Sequence, residues 1–120
     1  VRKIRIYLAI PYSGLRDLAF KISNEVAADL MNRGFIVFSP ITHSHNLSLQ
    51  EELPHTWEFW KSQDEAFVEW ADEVHVVVIG ETGYELIDKS VGVKAEIEMA
   101  KEMGKPVIYI PYNGKYLTNV

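Results

Sequence analysis

Four short apolar runs punctuate the chain, and between them apolar positions recur every three or four residues. The first run, KIRIYLAI (3–10), ends in aliphatic and β-branched residues and is broken by PYSG. From Leu15 onward, Leu15, Leu18, Ala19, Ile22, Val26 and Leu30 share one face of a helix. Gly34 stands where such a helix stops. FIVFS (35–39) reads as a second strand, closed by Pro40. A further helix starts between Pro54 and Trp57 and runs to about Ala71. EVHVVVI (73–79) is a third strand, followed by a polar loop. Ser90 opens the next helix, Gly104 ends it, and residues 105–110 form a fourth strand.

Strands and helices alternate throughout. The strands are continuous apolar runs rather than strict alternations, as a parallel sheet covered on both faces requires. Right-handed crossovers then predict strand order 2-1-3-4 in a three-layer α/β, Rossmann-like (flavodoxin-like) sheet, with residues 1–120 as a single domain. Ligands of such sheets bind beyond the carboxyl ends of the strands. Residues 40–56 lack helical or strand periodicity; they carry His43, His45 and His55 and lead into Trp57 and Trp60. A loop of that length predicts a lid or a pocket wall. The three tryptophans are expected mostly in the core, with Trp60 placed to stack on a base.

The 120 residues carry 48% hydrophobic and 24% charged residues, which suits a globular domain. A net charge of −5 argues against a broad nucleic-acid face. The chain has no cysteine, hence no disulfide or thiol chemistry. No apolar run is long enough to cross a bilayer, so no membrane role is expected. Basic residues precede the first apolar run, as in a leader, but the run is short and β-branched and reads as a strand. A cytoplasmic location is the simplest expectation.

Three residues stand out chemically. Glu96, in SVGVKAEIEMA (90–100), has Gly92, Val93, Met99 and Ala100 as its helical neighbours, and none can pair with a carboxylate. Glu98, by contrast, has Lys94 and Lys101 within reach, as a solvated acid does. Asp64 lies beside the aromatic stripe of its own helix, four residues after Trp60 and three before Phe67. Two carboxylates facing one pocket suit glycosidic chemistry, in which a retaining pair stands about 5–6 Å apart. The competing readings are a surface Glu96 without a role and an Asp64 that pairs with a lysine. Ser90 precedes its helix, where capping and anion binding use the same geometry. Gly92 keeps space open in that first turn. Tyr7 ends strand 1, and the following turn brings Tyr12 and Ser13 towards a ligand. His43 and His45 suggest pocket hydrogen bonds more than a metal, and no metal or cofactor is expected. Neither a G-x-x-x-x-G-K-[ST] loop nor a G-x-G-x-x-G turn is present.

The segments IYLAIPYS, QDEAFVEWADEVHVVV and SVGVKAEIEMAKEMGKPVIYI resemble the nucleoside 2-deoxyribosyltransferase superfamily. The Ser–Gly–Glu spacing is most similar to the 2′-deoxynucleoside 5′-phosphate N-hydrolases, and YLAIPYSG and SPITHSH to small uncharacterised relatives of them. The resemblance implies that Glu96 is a nucleophile at C1′, that Asp64 assists at the sugar and base, and that Tyr7 is the family tyrosine. It implies that Ser90 binds a phosphate where the transferases carry an aspartate. The hydrolases have a serine and an arginine after strand 1; here Ile10 and Tyr12 hold those places, with Ser13 and Arg16 nearby. The superfamily completes its pocket with a neighbouring subunit, so a homodimer or higher homo-oligomer is expected. The C-terminal PYNGKYLTNV is a candidate for that contact.

The expected activity is hydrolysis of the N-glycosidic bond of a 2′-deoxynucleoside 5′-monophosphate, with a small-molecule nucleotide or nucleoside as partner. A nucleoside 2-deoxyribosyltransferase and a non-catalytic nucleotide-binding module are the alternatives.

Overall fold

The computed structural model describes residues 2–50, 53–54 and 56–114. The chain runs β1 (Arg5–Ala9), α1 (Arg16–Asn32), β2 (Ile36–Phe38), α2 (Pro40–Gln50), α3 (Trp57–Trp70), β3 (Glu73–Ile79), α4 (Gly83–Lys89), α5 (Val91–Glu102) and β4 (Val107–Tyr112). The four strands are parallel, in the order β2-β1-β3-β4, as the alternation of elements predicts. No helix among the described residues is long and apolar enough to cross a membrane.

The sheet is buried on both faces. Ile6, Leu8, Ile10 and Val77 point to one side and pack against Ala19, Ile22, Val26 and Leu30 of α1. Tyr7, Ala9, Val74, Val76 and Val78 point to the other and meet Val68, Val93, Ile97 and Ala100 of α3 and α5. Alternate residues of one strand therefore feed two cores, which is why the strands read as unbroken apolar runs. Leu18, counted on the apolar face of α1, is instead exposed, because it lies at the margin of the stripe centred on Ala19, Ile22 and Val26. Trp57, Trp60 and Trp70 are half-buried rather than core residues.

Two segments differ from their expected form. Residues 40–50 form helix α2 rather than a loop. Pro40 occupies the first helical position, where its missing N–H costs nothing, and the Ser39 hydroxyl accepts from the Thr42 N–H at 3.3 Å. The period is present as Ile41, His45 and Ser48, the last two buried. Because histidine and serine do the packing, the stripe does not read as apolar. The polar stretch after β3 contains α4, a seven-residue helix whose inward anchors are few: Gly83 and Ile87 are buried.

Polar ties hold the frame beneath the site. The Asp72 carboxylate receives both Arg2 guanidinium nitrogens at 2.8 and 2.6 Å and the Arg5 N–H at 2.8 Å. The Asp72 N–H returns a bond to the Arg5 carbonyl at 2.8 Å, so the entries of β1 and β3 are locked two residues from Tyr7. Lys105 donates to the Val68 carbonyl at 2.7 Å and to the Glu69 carbonyl, closing the C-terminal end of α3.

Gly83 lets α4 lie directly on β3. A β-carbon there would stand 2.5 Å from Val78 Cγ1 and 2.9 Å from the Val78 carbonyl carbon. At Gly92 a β-carbon would meet Trp57 Cε3 at 3.6 Å, an ordinary contact. Gly83→Ala is therefore expected to lower stability in urea unfolding by ~1–3 kcal/mol. Gly92→Ala should stay within ~0.5 kcal/mol of the parent.

Candidate active site

Tyr7 is fully buried at the centre of β1, and its hydroxyl donates to Oε2 of Glu96. Glu96 is carried by α5 and is itself buried, among Val93, Ile97, Met99 and Ala100. The helix is aimed there by its cap: the Ser90 hydroxyl accepts from the Val93 N–H at 3.2 Å. Asp64 reaches the same place from α3 and is half-buried. Its helix is steadied three residues on, where Phe67 stacks on Phe38 with ring centroids 3.7 Å apart.

Burial dominates the electrostatics of this group. Loss of water pushes the Glu96 carboxyl well above the ordinary range, and the Asp64 charge pushes it further. Burial raises Asp64 to about 7. The Tyr7 hydroxyl works against both shifts, because it stabilises each carboxylate. Tyr7 itself is held neutral by burial and by the two acids. Burial thus favours a proton on this pair of acids near neutral pH.

A cavity of about 660 Å³ opens above Glu96 and Asp64. It is bounded by the turn after β1, by α2, by the start of α3 and by the α4–α5 junction. The sequence candidates Glu96, Asp64, Tyr12, Ser13, Ser90 and Gly92 all line it, and Tyr7 lies beneath its floor. His43 is not among the described residues that line it. It is exposed, its Nδ1 3.2 Å from the Ser44 hydroxyl and its ring 5.5 Å from that of Phe38. On a helix, residues two apart point about 200° away from each other, so His45 faces the cavity and His43 cannot. His45 and Trp60, singled out in the sequence, line it as well, and Trp57 and Lys89 are lining residues beyond the sequence candidates. For His45 the helical spacing from Ile41 was the available signal.

Among the described residues, no group of three or more His, Asp or Glu side chains is placed to hold a metal ion. His55 and the segment after Gly114 lie outside the described residues.

The family model described as a domain of unknown function (DUF1937) matches residues 4–111. No curated protein matches the chain. Among solved structures it is similar to the 2-deoxyribosyltransferase of the psychrotolerant bacterium Bacillus psychrosaccharolyticus, with a TM-score of 0.64 and 22% identity, covering 95% of this chain and 77% of that chain. The chain thus shares the fold of that 2-deoxyribosyltransferase, as its sequence resemblance leads one to expect.

An acid whose folded pKa lies above its unfolded value takes up protons on folding. Asp64, raised from 3.8 to about 7, therefore stabilises most below pH 4, and that stability is lost as pH rises through about 7. Asp72, lowered from 3.8 to about 2 chiefly by Arg2, acts oppositely: its stabilisation holds above pH 4 and is lost as pH falls through about 2. Melting temperatures across this range should peak near pH ~4, and Asp64→Asn should flatten the fall towards neutrality. A wild-type profile that is flat from pH ~4 to ~8 contradicts the shared proton.

Proposed function

The chain belongs to the family described as a domain of unknown function (DUF1937), and from that starting point we propose that it is an enzyme hydrolysing the N-glycosidic bond of a 2′-deoxynucleoside 5′-monophosphate. The observation that carries this reading is the Tyr7 hydroxyl donating to a buried Glu96 at the floor of a cavity that also holds Asp64. Among the described residues no cation forms a salt bridge with Glu96, and a carboxylate kept in place by a hydroxyl donor is oriented for attack rather than neutralised.

In the productive form Tyr7 holds the negative charge on Glu96, and Asp64 carries the shared proton. A Glu96 oxygen attacks C1′ of the sugar. The bond from C1′ to the base nitrogen breaks, its electron pair leaves with the base, and the proton of Asp64 passes to that base. A glycosyl ester on Glu96 remains. Asp64, now a carboxylate, removes a proton from water as the water oxygen attacks C1′, and Glu96 leaves as a carboxylate. The products are the free base and 2-deoxyribose 5-phosphate. The phosphate sits at the α4–α5 junction, where Ser90, Gly92 and the Lys89 side chain line the cavity. The first N–H groups of α5 have no carbonyl partners within the helix and point towards that end.

Transfer is the second reading, favoured by the likeness to a 2-deoxyribosyltransferase. There a second base takes the place of water in the second step. Labelled nucleotide incubated with and without an acceptor base separates the two, since transfer requires the acceptor and hydrolysis does not. A nucleotide-binding module without catalysis would be stabilised by nucleotide against heat and release no base.

Glu96→Gln is expected to lower base release by roughly a thousandfold or more, because the amide cannot form the ester. Stabilisation of the variant by nucleotide should persist. Glu98, exposed on the opposite side of α5, is the control: Glu98→Gln should change turnover little. Near-normal base release by Glu96→Gln, followed by chromatography, removes Glu96 from the reaction.

A further inference from the structure

The wall of the cavity formed by the turn after β1 and by α2 holds a polar cluster that the reaction above does not use. His45, 7% exposed, stacks on Phe20 with ring centroids 4.4 Å apart. Its Nδ1 is 2.7 Å from the Tyr12 hydroxyl, and its Nε2 is 3.6 Å from Oδ1 of the exposed Asp17. Arg16 Nε donates to the same Tyr12 hydroxyl at 3.2 Å. Tyr12 and His45 both line the cavity.

The bonding in this cluster limits what Tyr12 can offer a ligand. With the imidazole proton on Nε2, the side nearer the Asp17 carboxylate, Nδ1 is the acceptor, and its short contact with a hydroxyl that already accepts from Arg16 fits that sense. The single Tyr12 hydroxyl hydrogen is then committed to His45. One oxygen lone pair is taken by Arg16, and the other remains. Tyr12 thus presents an acceptor and no donor to the cavity.

We propose that Tyr12, set by His45 and Arg16, is a specificity-determining residue that selects bases carrying an amino group over their oxo counterparts. The proposal rests on the reading of Glu96 as the group that attacks C1′. With the sugar over Glu96 and its phosphate at the α4–α5 junction, the base leaves the ring from the other end, towards Tyr12 and His45. An amino group at purine C6 or pyrimidine C4 donates to the remaining lone pair. A carbonyl at the same place meets another acceptor and leaves Tyr12 unpaired, which polar sites penalise strongly.

The test compares 2′-deoxynucleoside 5′-monophosphates that differ by this one group: adenine against hypoxanthine, and cytosine against uracil. Both kcat/KM for base release and Kd by calorimetry are measured. The wild type should prefer the amino member of each pair by about tenfold or more. Tyr12→Phe should bring each ratio close to one. His45→Phe keeps the ring on Phe20 but releases the Tyr12 hydrogen, so Tyr12 can donate and the ratio should move towards the oxo member. A loss of packing alone would weaken both members alike and leave the ratio unchanged.

A wild type that does not discriminate, or that prefers oxo bases, overturns the proposal without any variant. So does a His45→Phe protein that folds and keeps the wild-type ratio. If His45→Phe does not fold, the wild-type and Tyr12→Phe ratios decide. Amino preference in Kd with no base released from any nucleotide leaves the Tyr12 assignment standing and rejects the hydrolase reading. Base release from all four at equal efficiency does the reverse.

Discussion

The hydrogen bond from Tyr7 to Glu96 is the constraint on which the site depends. It joins a central strand to a helix 89 residues further along the chain. A carboxylate removed from water without a partner is costly, and a lone hydroxyl donor offsets only part of that cost. The site therefore holds an acid that burial pushes towards protonation and that has no salt-bridge partner among the described residues. Asp64 adds to the tension, because its negative charge raises the affinity of Glu96 for a proton.

That arrangement persists because everything around it is fixed by ordinary packing and capping. β1 is clamped at its start by Asp72, and its residues alternate between two cores, so Tyr7 has one direction to point. Ser90 fixes the first turn of α5, and Lys105 ties the end of α3 to the loop before β4. The two acids ride on helices that pack against each other and against the same face of the sheet.

The cavity has two unlike ends. At the α4–α5 junction it offers a hydroxyl, a lysine and a helix start, a setting for an anion. At the α2 wall it offers a tyrosine hydrogen-bonded to His45, with Trp60 lining the same cavity. A nucleotide has matching ends, one charged and one flat with a polar edge. Glu96 and Asp64 line the same cavity.

How much of this was legible in the sequence follows from what each signal depends on. Apolar runs and helical spacing depend on neighbours in the chain, so the four strands, their order and three of the helices could be read directly. The isolation of Glu96 and the capping place of Ser90 are likewise local. α2 escaped because its inward side is built from His45, which meets Tyr12 and Phe20, and from Ser48, whose hydroxyl donates to the His45 carbonyl. His43 looked equivalent to His45 until the helix turned them apart. What the sequence determined is the set of elements and the one acid on α5 that has nothing to pair with. Only the tertiary structure decided that Tyr7 would be its donor, that Asp64 would raise its proton affinity, and that Tyr12 would meet His45. Those are contacts between distant elements in a water-poor site, and no pattern of neighbours along the chain encodes which groups must satisfy one another there.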